Sequence, residues 1–379
     1  MNELNFAKFI NAKIVDGHLH FENVSFIKET FNFFQTLKVE KLGIVSYAHP
    51  KKVNSNPQAL CFKAMYPEDV YIMGGLDYTG VKSYSKRRTE KELVQQLLKM
   101  IEIGFDGVKL LETKPTMYKE MPFSIDSSIY NSFFALLEEH QLPIFWHVAD
   151  PEEFWDKEKI PPDAKKRGWD YTDGTYPSKE KLYSQVKNVL DKFPRLKIVF
   201  AHFYFLSRDL SRAEAIMDTY PGVNFDITPG SEMYYNFSED SKKAREFFIK
   251  YQDRILFGDD TAIRGKGIQK RQITEKIFFM RNFLETNEEF SMIQGDENFL
   301  SKRGKIRGIK LPQVVLEKIY SENFFRIVGK KPRSLNISLA KGECHRIGDE
   351  LKRTYRFRPE KNFAYKAEDF LVMQEGIRF

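Results

Sequence analysis

Four of the seven histidines of this chain lie at the ends of short apolar runs typical of β-strands, and a further run ends in two aspartates. Imidazole nitrogens and a carboxylate are the ligands of catalytic zinc sites, in which one coordination position stays open for water. The residues of these types at the run ends are His18, His20, His147, His202, Asp259 and Asp260. Because their types, positions and order coincide, the sequence predicts one metal site.

The first run places three of its polar residues on one face. Side chains alternate between the two faces of a strand, so Asp16, His18 and His20 point the same way. Asp16 lies deeper than the two histidines, and we expect it to orient a histidine ligand. The last run leaves two acids, Asp259 and Asp260, as alternatives for the carboxylate ligand.

Such a site predicts the chemistry of an activated water. A metal held by neutral imidazoles keeps most of its charge and lowers the pKa of bound water to about 7. A nearby carboxylate can take the proton as this water attacks a carbonyl carbon. His202 can carry out the remaining proton transfer, because the pKa of histidine lies close to neutral pH.

The strand-like runs alternate with stretches of helical periodicity. The predicted strands are 13–20, 41–48, 70–76, 105–111, 143–148, 197–203, 223–228 and 254–259, and the predicted helices are 89–103, 178–193, 207–219, 240–251, 271–286 and 312–328. Eight such units predict an α/β fold, a (β/α)8 TIM barrel, in which the carboxyl ends of the strands carry the active site. We expect this barrel to occupy residues 1–329. Residues 330–379 would form a C-terminal extension of unknown role, packed on the barrel or on a second subunit.

Composition narrows the classes of protein. The formal charge is +7, but lysines and arginines are interleaved with acids along most of the chain, as on a solvated surface. We therefore expect no nucleic-acid partner and an anionic small-molecule substrate, which a basic surface attracts. The spacing of the two cysteines indicates neither a metal site nor a disulfide framework. No apolar stretch is typical of a signal peptide or of a membrane-spanning segment. These features predict a cytoplasmic enzyme.

The motifs together resemble the amidohydrolase superfamily. They are Asp16-Gly17-His18-Leu19-His20, His147, Ala201-His202, Leu256-Phe257-Gly258-Asp259-Asp260, and the segments 104–110 and 321–327. The resemblance is greatest to the amidohydrolase-related branch, which includes aminocarboxymuconate-semialdehyde decarboxylase, γ-resorcylate decarboxylase and several lactonases. Members of this branch usually have Ser or Thr at the position of Asp259, and alignment from Gly258 favours Asp260 as the ligand.

The resemblance implies one zinc ion, with other divalent ions as alternatives. His18, His20 and His147 would be ligands, and Asp260 would be a ligand that also transfers protons. His202 would be either a further ligand or an acid–base group. The leading expectation is a hydrolase that attacks a lactone, amide or ester carbonyl of a small carboxylate-bearing molecule. The alternative is a non-oxidative decarboxylase of an aromatic or enoic acid that uses the same residues.

Three further residues are candidates for substrate binding. His49 ends the second apolar run, and Arg264 follows the eighth, where it can hold a carboxylate or phosphate. Lys109 lies among apolar neighbours, a setting that disfavours an unpaired ammonium group. It would pair with an interior acid such as Asp16, bind a substrate carboxylate, or become a carbamate that bridges two metals. We favour one metal and an unmodified Lys109.

Overall fold

The computed structural model describes residues 4–47, 53–79, 81, 84–230, 232–265, 267–291, 304–356 and 361–377. Its centre is a parallel sheet in which each strand pairs with the next along the chain. In chain order the strands are β1 (Ile14–Phe21), β2 (Val39–Val45), β3 (Val70–Gly75), β4 (Gly107–Thr113), β5 (Ile144–Val148), β6 (Ile198–Phe200), β7 (Val223–Asp226), β8 (Ile255–Leu256) and β9 (Thr261–Ile263). A separate antiparallel pair consists of β10 (Glu289–Ser291) and β11 (Lys305–Arg307).

The sheet closes into a barrel through β8 and β9. β8 pairs with β7, and β9, only a few residues further along the chain, pairs in parallel with β1. Between them the backbone N–H of Gly17 donates to the carbonyl of Phe257 at 3.0 Å. The two short strands therefore act as one interrupted eighth strand, and the predicted (β/α)8 barrel is confirmed.

Helices connect the strands and cover the barrel. They are α1 (Ile27–Thr36), α2 (Asn56–Met65), α3 (Lys86–Ile103), α4 (Pro115–Tyr118), α5 (Asn131–Glu139), α6 (Pro162–Lys166), α7 (Lys179–Lys192), α8 (Leu210–Thr219), α9 (Met233–Glu239), α10 (Ser241–Lys250), α11 (Lys270–Glu285), α12 (Gln313–Glu317), α13 (Asn323–Ile327), α14 (Ile337–Tyr355) and α15 (Phe363–Ile377). A π-helical turn, Lys318–Glu322, joins α12 to α13. No helix in the described ranges is long and apolar enough to cross a membrane.

Most predicted elements lie within three residues of the observed ones, and two predictions need correction. The sixth strand ends at Phe200, because the chain from His202 to Phe205 turns into left-handed conformation with φ of 51° to 56°. The helix predicted over 89–103 is α3, and it begins at Lys86. Its N-terminal cap is Ser85, whose side chain accepts a hydrogen bond from the N–H of Arg88.

Side chains from six strands meet in one apolar cluster with α13. Its buried members are Val15, Val45, Tyr71, Met73, Phe145, Val199, Leu256, Phe324 and Ile327. Strands on opposite sides of a closed barrel can share contacts only through its interior, so this cluster is the interior core of the barrel. Phe324 contributes an aromatic ring that lies edge-on to Tyr71, with the ring centroids 4.9 Å apart.

The described residues of the C-terminal extension, 330–356 and 361–377, pack on the barrel and include two helices. The backbone N–H of Arg333 donates to Asp106 Oδ1 at 2.6 Å, which ties the start of this segment to the residues before β4. Further along, the buried side chains of Cys344 on α14 and Leu371 on α15 join the main apolar core. The helical extension expected at the C-terminus is therefore present, and it packs on the barrel rather than standing free of it.

Candidate metal centre

Three of the predicted ligands come together at the carboxyl ends of β1 and β8. One ligand atom from each of His18, His20 and Asp260 lies within 4.8 Å of those of the other two. Asp260 Oδ1 is 3.1 Å from Nε2 of His20 and 3.7 Å from Nε2 of His18. We call this group the triad. Among the described residues, it is the one group of three or more His, Cys, Asp or Glu side chains close enough to hold an ion.

The turn after β8 separates the two adjacent acids. Asp260 has a φ of 53°, and its N–H donates to the carbonyl of His18 at 2.9 Å, so its carboxylate faces the histidines. The carboxylate of Asp259 instead accepts hydrogen bonds from the backbone and hydroxyl of Thr261, at 2.7 and 2.6 Å. Burial alone would raise the pKa of Asp260, but the hydrogen bond to His20 and the nearby histidines hold it well below its usual range. Asp260 is therefore the acid that is placed to bind a cation.

Each triad histidine is oriented through its Nδ1 atom. In His18 this atom lies 2.8 Å from Oδ2 of Asp226, and in His20 it lies 2.8 Å from the carbonyl oxygen of Val45. Such contacts fix the tautomer and leave Nε2 available for a metal. Burial, with a smaller contribution from Lys109, lowers the pKa of His18 to about 4. The ring is therefore neutral at physiological pH, as metal binding requires.

The sequence did not single out Asp226, and the role expected for Asp16 needs correction. Asp16 Oδ1 accepts from the backbone N–H groups of His18 and Asp259, each at 3.1 Å, and among the described residues Asp16 forms no hydrogen bond to an imidazole ring. Burial and the neighbouring Asp259 raise the pKa of Asp16 well above its usual range. Asp16 therefore holds the backbone of His18 and Asp259 in place below the triad, while Asp226 orients the imidazole ring of His18. Asp226 lies inside the predicted strand 223–228, and its place at the end of β7 becomes apparent only in the structure.

His202 lies beside the triad, and His147 lies beyond it. The imidazole centroid of His202 is 6.0 Å from that of His18 and 4.8 Å from that of His147. The backbone of His202 is held by hydrogen bonds from its N–H to Asp226 Oδ1 at 2.9 Å and to the Thr228 hydroxyl at 3.1 Å. These bonds offset the left-handed backbone of His202, which β-carbon crowding otherwise disfavours.

The Nε2 atom of His147 is already engaged. It lies 3.0 Å from Asp150 Oδ1 and 3.3 Å from Nζ of Lys114. Burial and the charge of Lys114 lower the pKa of His147 to about 3, so the ring is neutral. The structure therefore brings His147 to the rim of the site without joining it to the triad, and its role as a ligand stays a prediction.

The predicted substrate-binding residues have different placements. Lys109 Nζ lies 3.1 Å from His18 Nε2, and burial lowers its pKa to about 8. The interior acids whose charges act on Lys109 most are Asp226 and Asp260 rather than Asp16. Pairing with an interior acid, binding of a substrate carboxylate and carbamate formation stay the three predicted roles. Arg264 is at the rim and paired with Glu22 at 2.9 Å.

The remaining candidate, His49, lies outside the described residues. Close to it in sequence, the ring of Tyr47 stacks on that of His20, with the centroids 4.2 Å apart, and the guanidinium of Arg264 lies 4.9 Å from the Tyr47 ring centre. Tyr47 therefore covers one side of the triad and links it to the rim.

The connection between β5 and α7 carries an aromatic cluster next to the site. Its members are Phe154, Trp155, Trp169, Tyr171 and Tyr176, together with Ile160 and Ala164. The hydroxyl of Tyr171 donates to Asp150 Oδ2 at 2.6 Å, which joins this connection to the residues around His147. Neither Asp150 nor Lys114 is among the residues that the sequence pattern indicated.

The donor set fits a divalent metal ion. Two imidazoles with Nε2 directed towards the site and one carboxylate match the ligands of catalytic zinc sites in type. Their Nδ1 atoms are bound to protein oxygens, as in metal sites where outer contacts orient the ligands. The chain therefore carries a site suited to a metal, while the identity of that metal is a matter for experiment.

Comparison with known proteins places the chain in a family. A model of the amidohydrolase family matches residues 85–327, and the chain therefore belongs to that family. No curated protein sequence matches the chain. The family, barrel and triad agree with one another, because amidohydrolases are typically metal-dependent enzymes.

Solved structures support the fold. A TIM-barrel protein of uncharacterized function from Bordetella bronchiseptica has a TM-score of 0.54 and 14% identity, over 84% of this chain and 99% of the other. A candidate amidohydrolase from Staphylococcus aureus has a TM-score of 0.53 with the same identity and coverage. At these identities the likeness concerns the barrel alone.

Proposed function

We propose that this protein is a metal-dependent hydrolase that attacks a lactone, amide or ester carbonyl of a small carboxylate-bearing molecule. The observation that carries the proposal is the triad, in which an ionised Asp260 lies beside the imidazoles of His18 and His20. When bound, a zinc or similar ion would polarise the carbonyl and lower the pKa of a water molecule. The ligands would be His18, His20 and Asp260, with His147 as a predicted fourth.

The protein groups around the triad have matching tasks. The carboxylate of Asp260 can accept the proton of the attacking water and pass it to the leaving group. His202 lies near enough to the triad to hold or transfer a second proton, and burial lowers its pKa so that it starts as a base. Lys109, beside His18, can stabilise negative charge that develops on the substrate.

A decarboxylase is the second candidate, and one observation favours it. Two lysines, Lys109 and Lys114, contact histidines of the site, which is more positive charge than water activation requires. A substrate carboxylate could be held there while its bond to the neighbouring carbon breaks. No water would then need to attack a carbonyl.

The experiment that tests the proposal begins with metal content. Purified protein should carry about one equivalent of zinc or a similar ion, and His18→Ala should lose it. Screens should then include lactones, amides and esters in labelled water, and aromatic and enoic acids with detection of carbon dioxide. Incorporation of solvent oxygen supports the hydrolase, and release of carbon dioxide supports the lyase. A metal-free protein with no dependence on Asp260→Asn would contradict both.

A further inference from the structure

Lys114 stands out because the proposed hydrolysis gives it no task. It follows β4, and its ammonium group lies 2.6 Å from Asp150 Oδ1 and 3.3 Å from His147 Nε2. The ring of Trp169, from the connection between β5 and α7, has its centre 4.9 Å from the same nitrogen. An ammonium group has three N–H donors, so one is left without a partner among the described residues.

The charge of Lys114 is only partly offset by Asp150. That carboxylate also lies 3.0 Å from His147 Nε2 and accepts the hydroxyl proton of Tyr171 at 2.6 Å. The Asp150 carboxylate is therefore shared among Lys114, His147 and Tyr171, and the ammonium group keeps some capacity for a second anion.

The exposure of Lys114 also distinguishes it from the other cations near the site. Its side chain is 18% exposed, whereas Lys109 is 1% exposed. Arg264 is 45% exposed and paired with Glu22, in a setting where an added ion pair contributes little. A cation that is largely desolvated yet reachable from solvent gains most from binding an anion.

We propose that Lys114 is the anchor for the carboxylate of the substrate. The inference rests on the proposed function for the place of the reaction, but the anion site itself consists of Lys114, with Asp150 and Trp169 holding the ammonium in place. The ligand class is a small monocarboxylic acid. A negative group held at Lys114 would lie on the His147 side of the triad, which makes Lys114 a residue that determines specificity.

Benzoate and its neutral analogue benzamide are the probes for this anchor. Their dissociation constants would be measured by ligand-observed NMR titration on the zinc-loaded full-length protein, together with zinc content by atomic emission. The variants are Lys114→Met, which removes the charge, and Lys114→Arg, which retains it. The matched control is Lys119→Met, a lysine of the same segment whose ammonium contacts Thr175 and the Tyr176 ring instead.

The expected result is that Lys114→Met weakens benzoate binding by about tenfold or more, because a charged hydrogen bond is lost. Benzamide binding and zinc content should stay unchanged, Lys114→Arg should retain most of the affinity, and Lys119→Met should match the parent. Equal benzoate affinity in Lys114→Met and the parent would overturn the anchor. Loss of zinc in Lys114→Met would also overturn it, since Lys114 would then support the metal site.

Failure of the proposed function has a different signature. A parent protein that binds no zinc but still binds benzoate through Lys114 would refute the metal-dependent reaction and leave the anion site intact. A parent that binds zinc but shows no difference between benzoate and benzamide would refute the anchor alone.

Discussion

Asp226 is the residue on which the orientation of the triad most depends. It accepts from Nδ1 of His18 through one carboxylate oxygen and from the backbone N–H of His202 through the other. We expect Asp226→Asn to reduce zinc affinity by about tenfold to hundredfold, because a histidine ligand loses its charged partner. Competition with a fluorescent chelator would measure it. Asp253→Asn, an exposed aspartate before β8, is the control, and equal affinities in the two variants would contradict the argument.

Glu112 makes a prediction about pH. This buried glutamate lies in β4, one residue before its end, and accepts a hydrogen bond from the hydroxyl of Tyr78. Burial raises its pKa from 4.5 to about 7. The folded state therefore holds the proton that the unfolded chain releases, so stability is complete below pH 4.5 and falls as the pH rises towards 7. The slope is about 1.4 kcal/mol per pH unit, or about 3 kcal/mol in all.

Thermal unfolding of Glu112→Gln between pH 5 and 8 would test this prediction, since the variant cannot ionise at that position. We expect a flatter dependence of Tm on pH than in the parent. Glu139→Gln, at the exposed end of α5, should reproduce the parent profile. A parent Tm that does not fall between pH 5 and 8 would show that Glu112 titrates outside this pH range.

At this scale the sequence predicts the residues that carry a recognisable type and position. His18 and His20 could be predicted because strand alternation and the end of the run determine where they point. The choice of Asp260 over Asp259 depended on the family resemblance. Lys114 and Asp150 could not, because a lysine and an aspartate after a strand are ordinary rim residues until the fold brings them beside His147. Their role depends on the contact between Lys114 and Asp150, which are 36 positions apart in the chain.

At the scale of elements, the sequence predicts the sixth and eighth strands least well, because both end before their predicted limits. Local apolar pattern extends the sixth strand to residue 203, but the hydrogen bonds of His202 to Asp226 and Thr228 turn the chain into left-handed conformation. The eighth strand is interrupted at Asp260 for a similar reason, since its N–H bonds to His18. In both places contacts with a neighbouring strand override local preference, and both places carry a site residue.

The interior core makes a prediction about α13. Phe324 is buried against strand residues from around the barrel, and its ring packs against Tyr71 and Phe145. We expect Phe324→Ala to lower the free energy of unfolding by about 3–5 kcal/mol, as a large cavity does in a packed core. Denaturant unfolding would measure it. Phe325→Ala is the matched control, because removal of its half-buried ring should lower the free energy of unfolding by less. Similar losses in both variants would contradict the assignment of the core.

At the scale of the molecule, the C-terminal extension completes the surface of the barrel. Leu371 on α15 is fully buried, whereas its neighbour Val372 is 51% exposed. We expect Leu371→Glu to lower Tm by several degrees and to make the extension sensitive to protease, because the charge cannot be buried. Val372→Glu should behave like the parent. Equal resistance of both variants to protease would show that the packing of the extension on the barrel does not depend on the buried side chain of Leu371.

The triad also ties together the two segments that close the barrel, since His18 and His20 belong to β1 and Asp260 lies between β8 and β9. An ion bound there stabilises the folded state only, so saturating zinc should raise the free energy of unfolding by about 2.7 kcal/mol at a hundredfold excess over Kd. Chelation should reverse this gain. We expect His20→Ala to abolish the effect of zinc on Tm, while His345→Ala, an exposed histidine on α14, should preserve it. An equal effect of zinc on both variants would place the metal elsewhere, because a site that bridges the closing strands cannot lose a ligand without losing its effect on the whole fold.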